Sequence, residues 1–362
     1  MKKLRAHLRE NPFAFLLVAI PLALLAEIMK LGPSYVFFLS AIAVIPLAGY
    51  IGTATEAVAV KTGPKVGGLL NATLGNAAEL IITLVAIKSG LLELVKASIT
   101  GSILGNLLLV LGFAMVTGGV KHGVQHFDRR QSSNHAILLT LTIIALTIPS
   151  FFSHFIGTAV DPKVEALSLG VAVVMIVLYG VGVVYSLKYN RSPIAVEPAK
   201  EETEQPTWNM RTALIVLTLS TAGVVWMSEL LVGATESVVA ALGLSEFFLG
   251  IILIPIVGNV AEHYVAVRVA LRNKMELSVE IALSSSLQVA LFVAPILVFI
   301  SLLVGNPLQL VFNQFELIGL GAAVVITVMV ASDGESNWLE GAALLGVYAI
   351  LSLAFFMLPT IK

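Results

Sequence analysis

The chain contains no cysteine. That excludes disulfides and thiolate metal sites, and it leaves the redox compartment unreadable. Charge is scarce as well. Only 12% of the 362 residues are charged against 58% hydrophobic, and the mean hydropathy is +0.97. A soluble globular chain of this length would lack the polar residues to cover its surface. The net charge of −1 gives no footing for a nucleic-acid partner. The long apolar runs show no period-two alternation, which excludes a membrane β-barrel and leaves helices. The N-terminus "MKKLRAHLRENPFAFLLVAIPLALLAEI" imitates a secretory signal, but it has no clear small-x-small cleavage site, and Glu27 interrupts the apolar run. It reads as a retained first transmembrane helix.

What is present is a succession of apolar runs of bilayer length, about 20 residues each. Cutting at Gly, Pro and charge clusters gives eleven segments: 13–30, 34–60, 66–88, 91–117, 134–152, 164–188, 211–241, 245–271, 275–304, 314–331 and 338–358. The sequence therefore predicts an all-α polytopic membrane protein. Placing the N-terminus in the cytoplasm puts 16 of the 21 Lys and Arg residues on the cytoplasmic side. Only Lys30, Lys88, Lys96, Lys163 and Lys362 fall on the far side. That is the bias expected of a correct topology, with the C-terminus outside. The stretch "KYNRSPIAVEPAKEETEQPTWN" (188–209), with Glu201, Glu202 and Glu204, reads as a flexible cytoplasmic linker.

The two halves across that linker echo one another. "GTATEAV" (52–58) pairs with "VGATESV" (232–238), "TLGNAAE" (73–79) with "IVGNVAE" (256–262), and, weakly, "GSILGNLLLVLG" (101–112) with "LSSSLQVALFVA" (283–294). The offsets are 180, 183 and about 182. Each half holds five segments, an odd number, so the second copy enters the membrane inverted. The predicted organisation is an N-terminal segment (1–32), a first five-helix repeat (33–189), an acidic linker (190–210) and a second repeat (211–362). Inverted repeats typify secondary transporters, with the substrate site at mid-membrane where they meet.

Asn76 and Glu79 share a helix face, as do Asn259 and Glu262. Gly75 and Gly258 permit close helix approach and local unwinding, and Pro255 frees a carbonyl. Amide oxygen, backbone carbonyl and carboxylate form the hard-oxygen ligand set that Ca2+ prefers, and no His–Cys cluster competes for a softer metal. Two carboxylates meeting in one low-dielectric site cannot comfortably both stay ionised, so the empty site favours protons and a divalent cation reverses the preference. Mutual exclusion of that kind is the basis of antiport. Ser102 with Asn106, and Ser284 with Gln288, place a hydroxyl and an amide on the next helix; they serve equally to complete the shell or to bond helix to helix. Glu56 and Glu236, in the matched "TATE" and "GATE" motifs, are candidates for lining access paths or for structural pairing. His263 has no counterpart in the first repeat, where Leu80 stands. It is a candidate to pass a proton or to hydrogen-bond Glu262, or is a satisfied buried histidine.

At "GNAAE" and "GNVAEH" the chain resembles the Ca2+/H+ exchangers of the cation/proton exchanger (CAX) family, within the cation/Ca2+ exchanger superfamily. The likeness covers about residues 30–360. It implies eleven helices as one plus five plus five, a transport site built on Glu79 and Glu262, and gating helices in positions two and seven. The Na+/Ca2+ branch has a Thr-Ser-x-Pro-Glu type of motif at this place, and Gln288 stands where that branch has Asn; both differences favour proton coupling. The expected activity is Ca2+/H+ antiport by alternating access, exporting Ca2+ across a prokaryotic cell membrane. A Na+/Ca2+ exchanger and a Ca2+ channel are the alternatives. No enzymatic activity or resident cofactor is expected, Ca2+ and H+ being transported ions. The bilayer is the remaining partner, and assembly into a homo-oligomer is compatible with the sequence.

Overall fold

The computed structural model describes residues 13–156, 161–189 and 208–358. The linker cluster Glu201, Glu202 and Glu204 lies outside the described residues, as do both chain ends. The described chain is almost wholly helical: α1 (Ala14–Ile28), α2 (Pro33–Thr62), α3 (Pro64–Leu74), α4 (Ala77–Lys88), α5 (Leu92–His122), α6 (Arg129–Ile156), α7 (Pro162–Tyr189), α8 (Met210–Leu242), α9 (Glu246–Ala270), α10 (Met275–Val304), α11 (Gln314–Val330) and α12 (Trp338–Met357). Eight of these are long and apolar enough to cross a membrane: α2, α5 to α10, and α12. The apolar helices α1 and α11 are shorter.

The helix ends follow from local chemistry. Pro33 and Pro64 occupy first-turn positions, where a missing N–H costs nothing. Asn313 and Asn337 each close a capping box with the Glu three residues on, Glu316 and Glu340. Gly243 and Gly305 end α8 and α10 in the left-handed conformation, at φ 66° and 85°.

Contacts between connections define two faces of the molecule. On one face, β1 (Gln125–His126), which follows α5, pairs antiparallel with β2 (Glu335–Ser336), which precedes α12. Lys121 and His122 there reach the carbonyl of Leu271 at the end of α9, each at 2.9 Å, and Gln125 donates to the carbonyl of Ala270 at 3.1 Å. On the opposite face, Asn306 donates to the carbonyl of Ile87 at 2.8 Å, Lys96 to that of Val311 at 3.1 Å, and the backbone of Leu94 to Glu246 at 3.2 Å.

The core lies where α4, α5, α9 and α10 meet, with α2 and α8 packed against each other alongside. Three helices there carry a π turn: α5 at Gly105–Val110, α9 at Leu249–Leu253 and α10 at Val289–Val293. Such turns locally rotate the face a helix presents and recur at functional sites. In α9 a cause is visible. Pro255 has no N–H to offer the carbonyl of Ile251, and that carbonyl lies against Gly101 of α5, where any Cβ would overlap it. The close approach of α5 and α9 therefore depends on glycine at 101.

Candidate cation site

The first motif helix is broken. α3 stops at Leu74, Gly75 and Asn76 form a turn, and α4 starts at Ala77. Asn76 is the residue before α4, but its side chain does not cap that helix. It is turned sideways instead: its Nδ2 donates to Gln288 Oε1 at 2.9 Å, and its Oδ1 lies 3.5 Å from the hydroxyl of Ser285. The second motif behaves differently. α9 runs unbroken through Gly258 and Asn259, its irregularity falling earlier, at the π turn. Matching motifs thus give unequal backbones, a difference the sequence repeat does not show.

Glu79 sits in the first turn of α4 and is 3% exposed. Its Oε1 accepts from Ser102 and, at 2.6 Å, from Asn259 Nδ2 of the opposite motif. Its Oε2 is buried with no hydrogen-bond partner among the described residues. Glu262 is half-buried and accepts from Ser285 at 3.0 Å. The two carboxylates cross over the paired motifs. Each is laid over the glycine of the other motif: a Cβ on Gly258 would stand 3.1 Å from Glu79 Cγ, and one on Gly75 would stand 3.7 Å from Glu262 Oε1. Two carboxylates, three asparagines, two serines and a glutamine thus converge at the crossing of α3–α4 with α9, Asn106 joining by donating to Ser285 at 3.0 Å. Hydrogen bonds to a charged group are worth about 1.5–3 kcal/mol each, which offsets part of the cost of burying one. The oxygen-rich donor set suits a hard cation.

Glu79, Glu262, Asn76, Asn259, Ser102, Asn106 and Gln288 are all brought into this network. Ser284 is not: its hydroxyl bonds the carbonyls of Glu280 and Ile281 in its own helix, at 2.6 and 3.4 Å. The neighbouring Ser285 takes the place expected of it. The signal was the register. Glu79 and Glu262 are 183 apart, and running on 23 residues from each reaches Ser102 and Ser285, the two serines that donate to them. The weak third pairing, read at about 182, is one residue out.

Glu56 and Glu236 do not reach the carboxylate pair by a hydrogen bond. Glu56 is half-buried on α2, and Glu236 is exposed near the end of α8. His263 joins the network through Asn106 Oδ1 at 3.2 Å. Sequence reasoning also passed over Glu316, 1% exposed, which accepts from Thr100 at 3.1 Å and caps α11.

The chain is similar to known proteins over nearly its whole length. The family described as "Sodium/calcium exchanger protein" matches twice, over residues 33–188 and 212–357. The chain belongs to this family. Among its relatives, the Ca(2+)/H(+) antiporter of Aphanothece halophytica is 42% identical over 98% of this chain and 99% of its own. The Ca(2+)/H(+) antiporter ChaA of Bacillus subtilis is also 42% identical, over 96% and 100%. The crystal structure of the selenium-substituted Ca2+/H+ antiporter protein YfkE superposes with a TM-score of 0.83 at 40% identity, covering 96% of this chain and 99% of that one.

Proposed function

We propose that this chain is a Ca2+/H+ antiporter that works by alternating access and moves Ca2+ out of the cytoplasm. The carrying observation is the crossed carboxylate pair, Glu79 and Glu262, each packed over the other motif's glycine, with Glu79 accepting from a hydroxyl and an amide and Glu262 from a hydroxyl. With Ca2+ present both carboxylates serve as ligands, with Asn76 and Asn259 beside them. Without it they return carrying protons, because two carboxylates converging in a low-dielectric site cannot both comfortably stay ionised. The full-length relatives named Ca(2+)/H(+) antiporter support proton coupling. The family's name keeps sodium in view as the rival counter-ion.

The reading includes eleven crossings, with α3 and α4 together making one, arranged as α1 plus two inverted repeats, α2 to α7 and α8 to α12. Same-face contacts support that count. Six helices separate β1 from β2, and an even number returns the chain to the face it left. The inversion is supported by α4 ending on the face where Asn306 meets Ile87, while α9 ends on the face where Gln125 meets Ala270. The double family match, one block in each half, agrees with repeats at 33–189 and 211–362. The N-terminus and the β1–β2 face are assigned to the cytoplasm by the charge bias. In proteoliposomes free of sodium, an imposed pH gradient should drive ⁴⁵Ca2+ uptake. Uptake that requires Na+ and ignores the pH gradient would make this a sodium exchanger instead.

A further inference from the structure

The two carboxylates are held by different means. Glu79 has two donors, Ser102 and the crossed amide of Asn259. By the repeat, Asn76 should be the crossed amide for Glu262, but it bonds Gln288. Among the described residues Glu262 is left with one hydroxyl, that of Ser285. A hydroxyl has one proton to give. Ser285 Oγ has two acceptors in range, Glu262 Oε2 at 3.0 Å and Asn76 Oδ1 at 3.5 Å, and it also faces the Asn106 amide at 3.0 Å. Which end of Asn106 points at Ser285 therefore matters. If Nδ2 faces it, Ser285 accepts there and its proton is free for Glu262. If Oδ1 faces it, the carbonyl competes for that proton and Ser285 can meet Glu262 with lone pairs alone.

We infer that His263 is a positioning residue that settles this choice: as the Nε2–H tautomer it donates to Asn106 Oδ1, which holds Nδ2 on Ser285 and so aims the Ser285 hydroxyl at Glu262. Nε2 lies 3.2 Å from Asn106 Oδ1, and an amide oxygen can only accept, so the imidazole must be the donor in this arrangement. The amide in the chain bars a proton from hopping along it, which separates this role from a proton relay. The repeat supplies the control. The equivalents of His263 and Asn106 in register are Leu80 and Val289, both apolar, and Glu79, which has the crossed Asn259, needs neither.

This inference rests on the antiport reading, and wild-type ΔpH-driven Ca2+ flux tests that reading separately. The inference itself is tested by Ca2+ KM and maximal rate in proteoliposomes of the full chain. His263→Leu, which installs the first repeat's residue, should raise KM for Ca2+ about tenfold, as expected for loss of one hydrogen bond to a charged ligand. His263→Gln, whose amide reaches as far as Nε2, should restore most of the affinity. His263→Asn, polar but too short, should not, and it serves if the leucine variant fails to fold. In a Ser285→Ala background, His263→Asn should add no further loss, because the path is already cut. Wild-type KM in His263→Asn, failure of Gln to do better than Asn, or additive losses with Ser285→Ala would each overturn the inference.

Discussion

Glu79 is buried; among the described residues its Oε1 takes two hydrogen bonds while its Oε2 takes none. Such a carboxylate is anchored by one oxygen and left with the other for a cation or a proton. Glu79→Gln keeps the shape and removes the charge, so exchange should be abolished while the protein still elutes as a folded species; the same holds for Glu262→Gln. Wild-type exchange in either variant would refute their assignment. Ser102→Ala removes one of the two anchors and should weaken apparent Ca2+ affinity about ten- to hundredfold, the range for a hydrogen bond to a charged group. On the proposed reading protons and Ca2+ compete for the same oxygens, so apparent Ca2+ affinity should fall as the pH on the Ca2+-loading side is lowered. The carboxylates and asparagines were legible in the sequence because intramembrane carboxylates duplicated at matching positions have few structural excuses. Ser285 was not, because three consecutive serines, 284 to 286, share one composition, and only the 183-residue register tells them apart.

Helices α5 and α9 approach closely because Gly101 leaves room for the Ile251 carbonyl, to which Pro255 has no N–H to offer. Gly101→Val should destabilise by about 1–3 kcal/mol, the usual range for overpacking a tight contact, seen as a lowered thermal midpoint in detergent. An unchanged midpoint would mean the contact is dispensable. Hydropathy located these helices to within a few residues, since length and apolarity alone set a crossing. It did not reveal the unequal motifs, with α3 and α4 broken at Gly75–Asn76 but α9 continuous through Gly258–Asn259. The difference lies in tertiary context. Gln288 draws Asn76 aside in one half, and Gly105 stands at the matching position in the other. Nor did hydropathy reveal the π turns, two of which lie just before a proline, Pro255 in α9 and Pro295 in α10.

Across the whole molecule, the absence of cysteine is an experimental convenience as well as an exclusion. Single introduced thiols report sidedness without background. Val124→Cys, exposed between α5 and β1, should react with a membrane-impermeant maleimide only from the cytoplasmic side, and Ser89→Cys, exposed after α4, only from outside. Labelling of both from one side would break the topology. The central claim is that one carboxylate pair carries Ca2+ in one direction and protons in the other. The direct measurement is proton movement driven by Ca2+ alone. Proteoliposomes loaded with a pH-sensitive dye and free of sodium are given an outward-directed or inward-directed Ca2+ gradient, with the membrane potential clamped. The account predicts proton flux opposite to Ca2+, lost together with Ca2+ flux in Glu79→Gln. Ca2+ flux that leaves the internal pH unmoved would contradict it.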